Sequence, residues 1–225
     1  MIDTFRKEDN KIRTVEILTD KFPLAIVDDY YSLEDLSLIW KELEFLEGKH
    51  QPPDETGSAA NDEGENLKNN SGLFLDNIYA SQHRDISSIL NANGKCAWYH
   101  ALHSQKDKHD DWLFNNMLLG NFLKWNTTLL SYYENEDYYD AHKDSSLITI
   151  LHWLYKEPKR FEGGDIIFPD YDIGVKVEHN KTIIFPGCIS HQVLPVKMEE
   201  KYKNKGLGRY CITEFIHYTH EHGVV

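Results

Sequence analysis

Cysteine is scarce in this chain. Cys96, Cys188 and Cys211 are the only three in 225 residues; they are odd in number, widely spaced and form no CxxC pair. Such usage argues against a disulfide scaffold and against a thiolate-built zinc site, and it fits a reducing compartment. Long hydrophobic runs are also missing: no stretch approaches the roughly 18 apolar residues of a membrane span. The opening MIDTFRKEDNKIR has no apolar core of the kind a signal peptide needs. The expectation is a soluble, cytoplasmic protein. Positive charge is in deficit, with 24 Lys and Arg against 37 Asp and Glu, a formal net charge of -13. That field repels phosphate backbones, so nucleic acid is a disfavoured partner.

What is present suffices for one core. The length suits a single globular domain over residues 1–225, and neither an internal repeat nor a second core is visible. Aromatic residues make up 12% of the chain, tyrosine foremost, which suits strands. Residues 22–27 (FPLAIV) read as a short buried strand. Leu33, Leu36, Ile39, Trp40, Leu43 and Leu46 then recur at three- and four-residue intervals behind Ser32, the pattern of a capped helix packed on a core. Residues 47–72 are acidic and rich in Gly, Pro, Asn and Ser, and read either as an unstructured loop or as a lid over bound substrate. Residues 76–90 and 110–125 carry apolar positions at helical spacing.

The second half changes character. Residues 127–133, 146–155, 165–168, 174–177, 182–185, 191–196 and 209–218 are short β-rich runs separated by turn signals such as EGGD, EHNK, FPGC and KGLG. Residues 1–128 are therefore expected to give helical support and substrate-side elements. Residues 129–218 are expected to form a double-stranded β-helix, a jelly roll of the cupin kind.

Three H-x-D triplets occur where roughly one is expected by chance, so the spacing alone says little. His83/Asp85 and His109/Asp111 lie beside expected helices, where side chains two apart diverge. His142-Lys143-Asp144 has strand context, where alternate side chains point to one face. His191, after TIIFPGCIS, is the candidate third ligand, from a distant strand facing the first across the roll. Two imidazoles and one carboxylate leave three adjacent positions open, the facial arrangement of non-haem Fe(II) oxygenases. The chelating co-substrate would be 2-oxoglutarate, whose far carboxylate requires a buried cation. Arg209, beginning the last strand, suits it better than Lys201 in the polar stretch MEEKYKNKG. Thr213, four residues on, would add a hydroxyl.

Taken in order, these residues resemble the prolyl 4-hydroxylase-like branch of the 2-oxoglutarate and Fe(II)-dependent dioxygenases. The likeness spans residues 129–218. It runs through Tyr132, His142-Lys143-Asp144, Gly163-Gly164-Asp165 leading to Phe168-Pro169, Pro186-Gly187, His191 with Pro195-Val196, and Arg209-Tyr210 continuing to Thr213. The resemblance implies iron ligation by His142, Asp144 and His191, and a salt bridge from Arg209 to 2-oxoglutarate, which Tyr132 would also touch. It implies Fe(II), 2-oxoglutarate and O2 as cofactors, with ascorbate as a stimulant. Tyr139 would stand near the substrate, and Thr149, Leu151 and Trp153 would line the pocket or pack the core. Arg209 lies 18 positions beyond His191, where the family's basic residue follows by about ten; Lys201 sits at the usual spacing. The implied activity is hydroxylation coupled to decarboxylation of 2-oxoglutarate, on a peptidyl proline by closest likeness. A free amino acid, another small molecule or a nucleic-acid base are alternatives, as is a non-catalytic β-roll binding module.

Overall fold

The structure, a computed structural model, describes residues 2–6, 12–18, 20–57, 64–79, 82–94 and 125–217. Two antiparallel sheets face each other. The larger joins β1 (Ile2–Arg6), β2 (Ile12–Leu18), β3 (Leu24–Val27), β4 (Ser71–Phe74), β5 (Trp125–Tyr133), β7 (Ile148–Leu154), β11 (Lys181–Pro186) and β14 (Arg209–His217) in the order β1-β2-β3-β11-β7-β14-β5-β4. The smaller joins β6 (Tyr139–His142), β9 (Ile166–Phe168), β10 (Ile173–Val175) and β12 (His191–Val193) in the order β10-β9-β12-β6. Strands β8 (Phe161–Gly163) and β13 (Val196–Met198) pair with each other at one end.

Strand β7 explains why the fold needs helices as well as sheets. All seven of its residues are buried, which a sheet with one wet face would not allow. Ile148, Ile150 and Leu154 point outward into a cluster completed by Leu36, Ile39 and Leu43. Leu151 and Trp153 point inward, into a second cluster with Phe168, Phe185 and Val193 between the two sheets. The molecule is thus layered helix, sheet, sheet, with the roll's interior on the inner side of the large sheet.

The outer layer is α1 (Leu33–Leu46) with α2 (Leu75–Ile78) and α3 (Ser88–Gly94). Ser32 caps α1: its Oγ accepts from Asp35 N at 3.0 Å and donates to the Asp35 carboxylate at 2.7 Å. The helical pattern over residues 76–90 is met by short pieces, α2, a 3-10 turn at Arg84–Ile86 and the start of α3. Its acidic and hydroxyl residues are engaged elsewhere: Asp76 accepts from Thr128 N at 2.7 Å and pairs with Arg84. Buried Glu42 of α1 takes Ser87 Oγ–H and Ile89 N–H, so it secures the start of α3. The first half also holds four strands that helical periodicity gave no sign of, or showed only as residues 22–27. The expected helix over residues 110–125 lies outside the described residues except for its last position, as do His100, His103, His109, Cys96, His220 and His222.

Residues 47–57 and 64–72 are an ordered strap, which corrects the unstructured reading of that part. Gln51 and Gly72 exchange backbone hydrogen bonds at 2.7 and 3.0 Å, and Lys68 forms a bridge with Tyr139 of β6. Among the described residues no helix is long and apolar enough to cross a membrane.

Candidate metal centre

His142 ends β6, and across the ladder its register partner is His191, the first residue of β12. The two ligand candidates are therefore cross-strand neighbours within the small sheet, with ring centroids 4.3 Å apart. This corrects the expectation that His191 faces His142 across the roll: the 48 residues between them travel through the large sheet and return beside β6. Asp144 lies past the strand end, held by its N–H to Gly187 O at 2.9 Å rather than by strand alternation. It converges all the same. Asp144 Oδ1 is 3.7 Å from His142 Nε2, Oδ2 is 3.5 Å from His191 Nε2, and the three ligand atoms lie within 4.8 Å of one another. Among the described residues this is the one such group, and His83/Asp85 take no part in it.

Backbone carbonyls orient both rings. His142 Nδ1 is 2.8 Å from Asp140 O and His191 Nδ1 is 2.9 Å from Ile189 O. A carbonyl only accepts, so each Nδ1 carries the proton and each Nε2 presents its lone pair inward. Burial, with a push from His191, draws the His142 pKa down to about 3, which keeps that ring in the neutral, ligating form. Thr149 Oγ1 donates to Asp144 Oδ2 at 2.5 Å. Burial raises the Asp144 pKa while His191 and Thr149 oppose the rise. Nitrogen and oxygen donors on one face suit a divalent first-row metal with open positions.

These three side chains line a cavity of about 370 Å³ that also holds Arg209 and Thr213. Arg209 is 0% exposed, and none of its three guanidinium nitrogens has a hydrogen-bond partner among the described residues. It lies over the Tyr133 ring at 4.6 Å and beside Trp153 at 5.7 Å. A buried cation left unpaired is costly unless an anion arrives to pair with it. The EGGD turn makes room for it. Gly163 and Gly164 have φ of +71° and +72°, and a Cβ at Gly164 would stand 2.9 Å from Arg209 Cδ.

Several expected site residues are elsewhere. Tyr132 is on the outer face of β5: its hydroxyl donates to Glu134 at 2.6 Å and accepts from Gly208 N at 3.0 Å, and its ring packs on Tyr210. The tyrosine on the cavity wall is Tyr133, directly opposite Arg209 in the ladder. Period-two alternation makes a one-residue slip a change of face. Trp153 is fully buried behind Arg209 and is not on the cavity wall, so its expected substrate-side position is corrected; Leu151 is on the wall, and Thr149 engages Asp144. Lys201 is exposed and pairs with Glu199, outside the cavity. Tyr139 does line it, stacked on His142 at 3.5 Å with 6° between planes. Lys68 and Thr56 of the strap complete one wall and had no signal in sequence beyond a polar stretch.

No protein-family model and no curated protein matches the chain. Solved structures do. A Pseudomonas putida prolyl-4-hydroxylase superposes with a TM-score of 0.53 at 15% identity, over 89% of this chain and 95% of its own. The fold is that of a prolyl 4-hydroxylase. A viral collagen prolyl hydroxylase from Paramecium Bursaria Chlorella virus-1, solved with 2-oxoglutarate, gives a TM-score of 0.47 at 14% identity, covering 88% and 96% of the two chains. A putative oxygenase from Shewanella oneidensis gives 0.48 at 15%, covering 88% and 82%. In this chain the shared fold brings His142, Asp144, His191 and the buried Arg209 into one cavity.

Proposed function

We propose that the chain is a single-domain Fe(II)- and 2-oxoglutarate-dependent dioxygenase that hydroxylates its substrate. The observation that carries this reading is one cavity joining an open three-ligand site to a buried arginine with no partner. His142, Asp144 and His191 would hold the iron, and Arg209, backed by Thr213, would hold the far carboxylate of 2-oxoglutarate. Bound iron and 2-oxoglutarate supply the oxidising chemistry, in which 2-oxoglutarate and O2 give succinate, CO2 and one oxygen atom for a substrate carbon–hydrogen bond.

The chain's own part is placement and exclusion. His142 and His191 keep Nε2 turned inward because Nδ1 of each ring is committed to a backbone carbonyl. Thr149 fixes one Asp144 oxygen, which sets how the carboxylate faces the metal. Tyr133 and Trp153 wall Arg209 from water, so its attraction for a carboxylate acts in a poorly screened setting. Tyr139 and the strap cover the opposite wall.

A peptidyl proline is the substrate favoured by the fold's likeness to prolyl hydroxylases, with a free amino acid or another small molecule as the alternative. The acidic net charge weighs against a nucleic-acid base. A cytoplasmic setting fits the two described cysteines, both free. The test is succinate formation from 2-oxoglutarate by anaerobically iron-loaded protein on exposure to air, with His191→Ala beside it. Turnover should fall at least a hundredfold in the variant, with loss of iron binding by titration. Wild-type protein that neither binds 2-oxoglutarate nor forms succinate would leave a β-roll binding module as the better reading.

A further inference from the structure

The cavity carries more positive charge than the proposed reaction uses. Its described wall holds three cations, Lys68, Lys143 and Arg209, against a single carboxylate, Asp144. Two charges on iron and one on Arg209 would balance Asp144 and the two carboxylates of 2-oxoglutarate. Lys68 and Lys143 would remain uncompensated. Lys143 is exposed at the rim, where water serves it. Lys68 is only 5% exposed, and no carboxylate among the described residues pairs with it.

Lys68 is also held in place. Its Nζ donates to Thr56 O at 2.7 Å and to Thr56 Oγ1 at 2.9 Å, which uses two of its three protons. It lies 5.5 Å from the centroid of Tyr139, the ring stacked on His142. A buried ammonium that satisfies itself on neutral oxygens and keeps one proton free, beside the metal ligands, is an anion receptor set in advance. Burial draws its pKa down to about 8, so the charged form still prevails at neutral pH. Elsewhere a chain of net charge -13 repels anions, which makes this local reversal of sign a selective feature.

We infer that Lys68 is a specificity-determining residue that receives a carboxylate of the substrate, so that the substrate is a small carboxylic acid of amino-acid size rather than a blocked peptide segment. This rests on the oxygenase reading above. The cavity of about 370 Å³ has to hold 2-oxoglutarate as well as the reacting part of the substrate. The carboxylate would meet Lys68 at the strap while the carbon to be oxidised turns towards the metal.

The experiment uses the full chain loaded with iron and 2-oxoglutarate. Probes are the common L-amino acids, L-proline among them, each beside its carboxamide, and proline-containing peptides blocked at both ends. Succinate formation and the visible absorption of the metal·2-oxoglutarate complex are read in parallel. At least one free acid should stimulate succinate formation at concentrations more than tenfold below its amide. Lys68→Met should abolish that preference by raising the half-saturating concentration of the acid more than tenfold, and Lys68→Arg should retain a preference for acid over amide. Acids and amides acting alike, stimulation by blocked peptides alone, no probe acting, or an acid preference that survives in Lys68→Met would each overturn the inference while the absorption band and succinate remain. Loss of the band and of succinate from wild-type protein would overturn the oxygenase reading, and this inference with it.

Discussion

Arg209 gives the sharpest test at the scale of one residue, because its folded-state role and its binding role pull in opposite directions. Breaking a buried charge pair costs about 2–5 kcal/mol in binding. Arg209→Met should therefore weaken 2-oxoglutarate at least about thirtyfold, measured by titration of the metal-loaded protein. In the metal-free protein no pair exists to break, since the guanidinium has no partner among the described residues. Removing an unpaired buried charge there should leave the melting temperature unchanged or raise it. A fall of several degrees would mark Arg209 as a structural residue. Residue by residue, the convergence of His142, Asp144 and His191 and the place of Arg209 in the same cavity could be read from sequence because their order along the chain is set. The choice between Tyr132 and Tyr133 could not: LLSYY places like residues on both faces, and only the ladder opposite Arg209 decides the parity.

Among the elements, the EGGD turn links backbone shape to the anion site. Gly164→Ala combines a left-handed φ with a Cβ pressed on Arg209 Cδ. Gly48→Ala carries the same backbone strain, at φ +75°, with nothing within 4 Å of the added carbon. Both should lose about 1–3 kcal/mol of stability by denaturant titration. Only Gly164→Ala should also weaken 2-oxoglutarate; equal affinities in the two variants would detach the turn from the site. Helix α1 was legible element by element through its cap and its apolar stripe. Hairpin β1–β2 was not, because its charged and apolar residues do not alternate cleanly, and its pairing with β3 is a long-range matter. The strap was hidden for the same reason: its order comes from pairing Gln51 with Gly72 and Lys68 with Tyr139, contacts far apart in sequence that composition does not reveal.

At the scale of the molecule, a β roll with a helical outer layer followed from short strands gathered in one half of the chain, and the fold bears that out. The same layering couples stability to occupancy. If iron and 2-oxoglutarate bind only the folded form, 2-oxoglutarate at a hundred times its dissociation constant should add about 2.7 kcal/mol, seen as a rise in melting temperature of metal-loaded protein. No rise with metal and 2-oxoglutarate together would contradict binding in this cavity.

The register of the small sheet has a further consequence. Strand β6 is an edge strand, tied to β12 at His142–His191 and Tyr139–Val193 with an irregularity between. An ion shared by His142 and His191 would act as a rivet across that seam, supplying cohesion where the ladder is thin. The protein would then be a tighter object when charged with metal than when empty, and scarcity of iron would be felt first as a fraying hem at β6.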